Sequence, residues 1–138
     1  KGVVMFNRFY MPDIDIKKVR IIAADAYSNE QEHLKELRWM GIVSALVPGI
    51  DLSASTGIHN GTIVLKQLLA GAATAQMCTA LYQRGAEAIT HALDDISLFM
   101  ETQGFEKISD FRGKLNYSNI QNPERFERVQ FMKSFGSK

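Results

Sequence analysis

The stretch from Ile50 to Gly71 constrains the fold more than any other part of the chain. It opens with a short segment of apolar and small residues, IDLSAS, and continues through Thr56 to Gly61, residue types that favour tight turns and helix caps. The remaining residues place apolar side chains at helical spacing up to Gly71, where a helix C-terminus favours a left-handed residue. The stretch therefore predicts a strand, a glycine-containing loop and a helix.

The loop within this stretch allows two interpretations. Backbone N–H groups between a strand and a helix N-terminus form a ready site for an anion. An ordinary strand-to-helix connection has the same composition, with Gly57 required only for steric reasons. The loop by itself does not decide between them.

Strands and helices alternate on both sides of this stretch. Val3 to Phe6 is a continuous apolar run, which is typical of a strand buried on both faces in a parallel sheet, and residues 73–78 form a second small, apolar run. Apolar residues at helical spacing run from Leu34 to Leu46 and again from Ile89 to Met100, with Gly104 just beyond. This alternation predicts an α/β fold with a parallel sheet.

Two segments depart from the alternation within what we treat as a single, incomplete domain over residues 1–138. Residues 11–28 contain two short extended pieces and are predicted to form a hairpin outside the main sheet. Residues 105–138 are predicted to form a C-terminal tail that mixes charged and aromatic residues. The tail residues expected to pack back on the body are Phe126, Val129, Phe131 and Met132.

The composition excludes several classes of function. A formal net charge of +1 gives no electrostatic case for nucleic acid, and no apolar run approaches the roughly 20 residues that a membrane helix needs. A single cysteine excludes an internal disulfide framework and fits a reducing compartment, so we expect a cytoplasmic protein. The three histidines are scattered, with no metal-ligand spacing, and His33 is expected to be solvated on the polar flank of its helix.

Polar side chains follow the first predicted strand. Asn7 comes directly after Phe6, at the C-terminal end of the strand, and ligands bind at that end of strands in α/β sheets. Asn7 is therefore either a ligand contact or a residue that satisfies backbone groups at the strand end.

Several motifs in fixed order resemble one family. STGI at 55–58 and CTAL at 78–81 are strand-end loops separated by one helix, as in the flavin-phosphate site of a TIM barrel. With LLAGA at 68–72 and SDFRGKL at 109–115, they resemble the C-terminal part of a dihydroorotate dehydrogenase. The opening VVMFNRFYMPDID and the ending NPERFERVQFMK are more similar still to the bacterial dihydroorotate dehydrogenase-like proteins, so the resemblance spans essentially the whole chain.

The resemblance implies a fold and a cofactor site. The chain would be the C-terminal portion of a TIM (β/α)8 barrel, with Val3–Phe6, Asp51–Ser55 and Ala75–Cys78 as about strands six to eight. The cofactor would be FMN, and Asn7 would hydrogen-bond the pyrimidine substrate. The residues implied to hold the FMN phosphate are Ser55, Thr56, Gly57, Cys78 and Thr79. Thr56 and Cys78 stand where the family has glycines.

The resemblance also implies a function: part of an FMN-dependent oxidoreductase that oxidises dihydroorotate to orotate in pyrimidine biosynthesis. The family's catalytic base and flavin-contacting lysine precede strand six, so no catalytic residue is expected in this chain, and alone it should be inactive. Two alternatives stay open, namely an FMN barrel with another substrate and a non-catalytic module that binds a phosphate ligand or serves assembly.

The implied barrel also predicts partners. A complete barrel of this kind typically takes about 250 residues, three strands cannot close it, and an unpaired buried strand is exposed at its edge. We therefore expect the chain to be a fragment that pairs with a missing N-terminal half or self-associates. When complete, the protein is expected to be a homodimer.

Overall fold

A three-stranded parallel sheet forms the centre of the molecule in the computed structural model, which describes residues 1–9 and 11–127. The strands are β1 (Gly2–Met5), β4 (Asp51–Ala54) and β5 (Thr74–Ala75), in the order β1-β4-β5. Met5 pairs with Ala54, which pairs in turn with Ala75, so the three strands end at the same edge. The predicted α/β class with a parallel sheet is confirmed.

The third strand is shorter than predicted. Pairing stops at Ala75, although the N–H of Gln76 still donates to the Ala54 carbonyl at 2.8 Å. The following residues leave the sheet because the chain turns into a helix, for which Cys78 is the N-cap. A strand over 75–78 was therefore a wrong prediction, and Cys78 lies in the connection instead.

The described residues contain four helices, which are α1 (His33–Leu46), α2 (Gly61–Ala70), α3 (Thr79–Arg84) and α4 (Glu87–Gln103). Of these, α1 and α2 pack on the sheet, while α4 packs on α2 and α3 packs on α4. The side chain of Asn60 accepts from the Ile63 N–H at 3.0 Å and begins α2, while Gly71 at φ +117° ends it. A 3-10 turn, Glu30–Glu32, precedes α1 and is capped by Asn29.

An antiparallel hairpin stands apart from the main sheet. Its strands, β2 (Pro12–Asp15) and β3 (Arg20–Ala23), pair only with each other in the described residues. The hairpin lies within the predicted excursion over residues 11–28. Its apolar side chains are largely exposed, as Ile16 at 83% and Val19 at 88% show.

The core lies between the sheet, α1 and α2, and the segment after α4 closes it. Leu52, Ile63 and Leu68 are buried there. Phe111 is fully buried, and its ring centroid lies 5.3 Å from those of both Phe99 and Phe105. Of the tail residues expected to pack on the body, Phe126 is half-buried and its ring lies close to Gly41. Residues 129, 131 and 132 lie outside the described residues.

β1 does not have the burial predicted for it. Val3 is 49% exposed and Val4 44% exposed, whereas the apolar run predicted a strand covered on both faces. β1 is an edge strand whose described partner is β4 on one side. Val3 and Val4 point to opposite faces of the strand, and the described elements leave both of them about half exposed at this edge of the sheet.

Candidate functional site

The ends of the three parallel strands bring the predicted site residues to one edge. The 55–57 loop follows β4, the 76–79 connection follows β5, and Asn7 and Arg8 follow β1. In sheets of this kind, ligands bind at the carboxyl ends of the strands. The register of the sheet therefore fixes which loops can form a site.

All five residues predicted to hold the cofactor line a single cavity of about 200 Å³. The other residues of its wall come from the ends of β1 and β5, the segment before α1, and the start of the loop leading to α2. The complete lining is Arg8, Ala26, Ser28, Ser55, Thr56, Gly57, Ile58, Gln76, Cys78 and Thr79. We call this the strand-end cavity.

The 55–57 loop has a left-handed backbone. Thr56 has φ +74° and Gly57 has φ +71°. The conformation is costly for a β-branched residue such as threonine, and the Thr56 hydroxyl offsets part of that cost by donating to the Phe6 carbonyl at 2.9 Å. The N–H of Ser55 donates to the Met5 carbonyl at 3.1 Å and is therefore not available to a ligand.

The structure gives Gly57 a different reason to be glycine from the one expected of a phosphate loop. A Cβ at this position would lie 2.5 Å from the backbone nitrogen of His33 and 3.1 Å from the Asn29 carbonyl oxygen. The loop thus packs directly against the turn before α1. The absent side chain permits this packing and the positive φ, independently of any ligand.

A hydrogen-bonded cluster holds Thr79 at the opposite side of the strand-end cavity. Thr79 Oγ1 accepts from the Ser28 N–H at 3.2 Å and from Ser28 Oγ at 3.1 Å. Ser28 Oγ also lies 3.1 Å from Nε2 of the buried His59. Because Thr79 Oγ1 accepts both bonds, neither of them uses its own hydrogen.

Sequence reasoning missed Ser28 and His59 as members of this cluster. Ser28 and Asn29 both have the composition of a helix cap, and the structure assigns the cap to Asn29. Ser28 is thereby free to reach Thr79, which lies 51 residues further along the chain. The only local signal for Ser28 was that two neighbouring residues could cap the same helix, although one cap is enough.

Cys78 contributes to the wall of the cavity as an exposed, free thiol. It precedes α3 without making a side-chain capping hydrogen bond. Among residues 1–9 and 11–127, no group of three His, Cys, Asp or Glu side chains is arranged to hold a metal ion.

Asn7 lies in a neighbouring cleft rather than in the strand-end cavity. This second cleft has a volume of about 300 Å³, and the exposed side chain of Asn7 is on its wall with Phe9, Lys35 and Glu36. Arg8 and Thr56 line both spaces. Asn7, the predicted substrate contact, therefore lies in a different space from the strand-end cavity, and Arg8 and Thr56 are on the wall that the two spaces share. We call the space that Asn7 lines the β1 cleft.

Glu36 is a buried carboxyl at the base of the β1 cleft. It is 3% exposed, and Oε1 accepts from the Phe6 N–H at 3.3 Å, while Oε2 has no partner among the described residues. Burial raises the pKa of Glu36 from 4.5 to about 8, and the hydrogen bond from Phe6 only partly opposes it. Glu36 is thus a proton-carrying group near neutral pH, at the end of β1.

Glu32, one helical turn earlier, behaves in the opposite way. Burial raises its pKa, but the hydrogen bonds from the Arg8 guanidinium and the Asn29 N–H outweigh burial, so the pKa of Glu32 is lowered. Its carboxylate stays ionised against Arg8, with Nε to Oε2 at 3.0 Å.

His33 is buried, which corrects the expectation that it is solvated. It is 5% exposed, and its Nδ1 lies against the Glu30 carbonyl. The buried face of α1 runs through His33, Glu36 and Met40, while Leu34 is 53% exposed. The predicted apolar stripe was right at its centre, where Met40 is buried and Leu37 and Val43 pack on the core, and wrong at its ends, where Leu34 and Leu46 are exposed. The first turn of the helix instead turns a polar face towards the ends of β1 and β4.

None of the helices in the described part of the chain combines the length and the apolar character needed to span a membrane.

Comparison with known proteins identifies relatives over part of the chain. No family model matches it. The chain is 33% identical over 72 residues to a protein of Streptococcus uberis named dihydroorotate dehydrogenase A (fumarate). The aligned residues cover 52% of this chain and 23% of that protein. The resemblance predicted from the motifs is therefore confirmed over about half of the chain.

Solved structures share the fold. The ligand-free dihydroorotate dehydrogenase of Eimeria tenella matches with a TM-score of 0.58 and 21% identity, over 62% of this chain and 24% of that one. The complex of that enzyme with ferulenol matches with a TM-score of 0.65 and 17% identity, over 81% of this chain and 30% of that one. The chain thus spans less than a third of the length of each of these proteins.

Proposed function

We propose that this chain is the C-terminal portion, about strands six to eight, of an FMN-binding TIM barrel that oxidises dihydroorotate to orotate in pyrimidine biosynthesis. One observation carries the proposal. The five residues that the resemblance assigns to the FMN phosphate, which come from two loops more than 20 positions apart, line one small cavity at the carboxyl edge of the sheet. The names of the sequence relatives point to the same reaction.

The strand-end cavity has the donor chemistry that a phosphate group needs. Thr79 and Ser55 on its wall each carry a hydroxyl group that can donate to a phosphate oxygen, and Arg8 brings a positive charge. The residues present therefore fit the phosphate end of FMN. The flavin, when bound, supplies the acceptor for the hydride of the substrate.

Asn7 is proposed as the substrate contact. It lies in the β1 cleft, next to the strand-end cavity, so a flavin held by its phosphate in one space and a pyrimidine in the other would share the wall made by Arg8 and Thr56. An amide side chain can both donate to and accept from the ring amide groups of a pyrimidine. The role of Asn7 is to orient the substrate.

The remaining strands of the barrel are proposed as the partner of this segment. The sheet of the described residues has two edges, and the apolar side chains of Val3 and Val4 are about half exposed on β1. Barrels remove such edges by closure. The catalytic base and the flavin-contacting lysine implied by the resemblance would come from those strands, in a cytoplasmic homodimer.

Anaerobic flavin reduction tests the function directly. The full-length protein is titrated with FMN by flavin fluorescence, and dihydroorotate is then added while the flavin absorbance is followed. Bleaching of the flavin by dihydroorotate supports the proposal. FMN binding without bleaching would favour an FMN barrel with another substrate. Absence of FMN binding would favour the phosphate-ligand or assembly module.

A further inference from the structure

Arg8 is held rigidly at the end of β1. Its Nε and one terminal nitrogen donate to the two carboxylate oxygens of Glu32 at 3.0 and 3.2 Å, and its other terminal nitrogen donates to the Asp25 carbonyl. A two-point contact of this kind fixes the plane of the guanidinium as well as its position. Glu32 thus acts as a positioning residue for Arg8.

The guanidinium retains donors for a further partner. An arginine has five N–H groups, and the contacts with Glu32 and Asp25 use three of them among the described residues. Two N–H groups therefore remain available. The side chain is 22% exposed, so a ligand can reach it.

The charge distribution decides which of the two adjoining spaces an anion would choose. In the described part of the chain, Arg8 is the only cationic side chain that lines the strand-end cavity, and no carboxylate lines it. The β1 cleft also contains Lys35, but Glu32 and Glu36 lie on its wall. Glu32, the carboxylate that pairs with Arg8, lies on the wall of the β1 cleft and not on that of the strand-end cavity, so a dianion in the strand-end cavity would meet the guanidinium with no carboxylate of the described residues on the same wall.

We infer that Arg8 is the specificity-determining residue for a phosphomonoester in the strand-end cavity, acting together with the hydroxyls of Ser55 and Thr79. The inference rests on the proposed function and adds to it a residue from the end of β1. The phosphate is therefore gripped from three strand ends, and the side-chain charge, rather than the loop backbone alone, separates FMN from unphosphorylated riboflavin.

The test measures the ratio of the dissociation constants of riboflavin and FMN by fluorescence titration of the full-length protein. Arg8→Gln is expected to reduce this ratio about 10- to 100-fold, because one or two charge-assisted hydrogen bonds to the phosphate are lost. Arg8→Lys keeps the charge without the two-point geometry and is expected to give an intermediate ratio. Arg20→Gln on the hairpin removes one positive charge elsewhere and is expected to leave the ratio unchanged.

The ratio separates the phosphate role from a structural one. If Arg8 only ties the turn before α1 to β1, Arg8→Gln weakens FMN and riboflavin equally, the ratio stays constant, and the inference is overturned. If the parent protein prefers FMN to riboflavin and Arg8→Gln prefers FMN as strongly, this inference alone is overturned. A parent that binds neither flavin, or binds both equally, overturns the proposed function with it.

Discussion

Replacing the buried carboxyl of Glu36 by an amide is expected to stabilise the protein at alkaline pH. The pKa of Glu36 rises from 4.5 to about 8 on burial. Between these two values the folded protein binds more protons than the unfolded chain, so the free energy of unfolding falls as the pH rises. Below about 4.5 the carboxyl is protonated in both states, and its full contribution to stability is present.

The structure sets the size of this effect. The difference between 4.5 and about 8, at about 1.36 kcal/mol for each pKa unit, corresponds to about 4 to 5 kcal/mol. Water entering from the β1 cleft would solvate part of the ionised carboxylate, so we expect about 2 to 4 kcal/mol. Glu36→Gln keeps an oxygen for the Phe6 N–H and does not ionise. It should therefore be more stable than the parent by that amount at pH 9, and within about 1 kcal/mol of it at pH 5.

Urea unfolding followed by circular dichroism, from pH 3 to pH 9, provides the measurement. Glu32→Gln is the matched control, because the pKa of Glu32 is lowered and its ionised form stabilises the fold. That variant should be less stable than the parent at neutral pH, with the difference disappearing as the pH falls through the pKa of Glu32. If Glu36→Gln and the parent lose stability in parallel between pH 5 and pH 9, Glu36 does not carry the proton and the reasoning is refuted.

The 55–57 loop, the strand-end cavity and the core each yield a further prediction. The free energy of unfolding of Thr56→Gly in urea should stay within about 1 kcal/mol of the parent, because relief of the left-handed backbone strain offsets the lost hydrogen bond. Thr56→Ala should lose about 1 to 2 kcal/mol, and equal losses in the two variants would contradict backbone strain. Gly57→Ala should lose about 2 kcal/mol or more whether or not FMN is present, and a variant as stable as the parent would refute the packing against His33. Thr79→Val should weaken FMN binding about tenfold in fluorescence titration while Thr79→Ser retains it, and equal binding by both would remove the hydroxyl from the site. Phe111→Ala should lower the free energy of unfolding by about 3 to 5 kcal/mol, and a loss below 1 kcal/mol would mean that the aromatic cluster does not close the core.

The ends of α2 and the alternation of strands with helices could be predicted from sequence, because both depend on local interactions. Asn60 caps α2 through a backbone group three residues away, and Gly71 ends it through its own backbone freedom. The alternation of apolar strands with helices then limits the sheet to a parallel arrangement, whose carboxyl edge collects the loops. The candidate phosphate residues followed from the resemblance to the dihydroorotate dehydrogenases, whose motifs match two short loops of this chain.

Contacts between distant segments decided the rest of the site. Arg8 meets Glu32 across 24 residues, and Ser28 meets Thr79 across 51, and neither pairing leaves a trace in local periodicity. The same holds for Gly57, which packs against the backbone of the turn before α1. On α1, apolar spacing alone placed Leu34 inside and left Glu36 unremarked. In the structure Leu34 is exposed and Glu36 is buried. The buried face of a helix depends on the surface that the helix meets, and the first turns of α1 meet the polar ends of two strands.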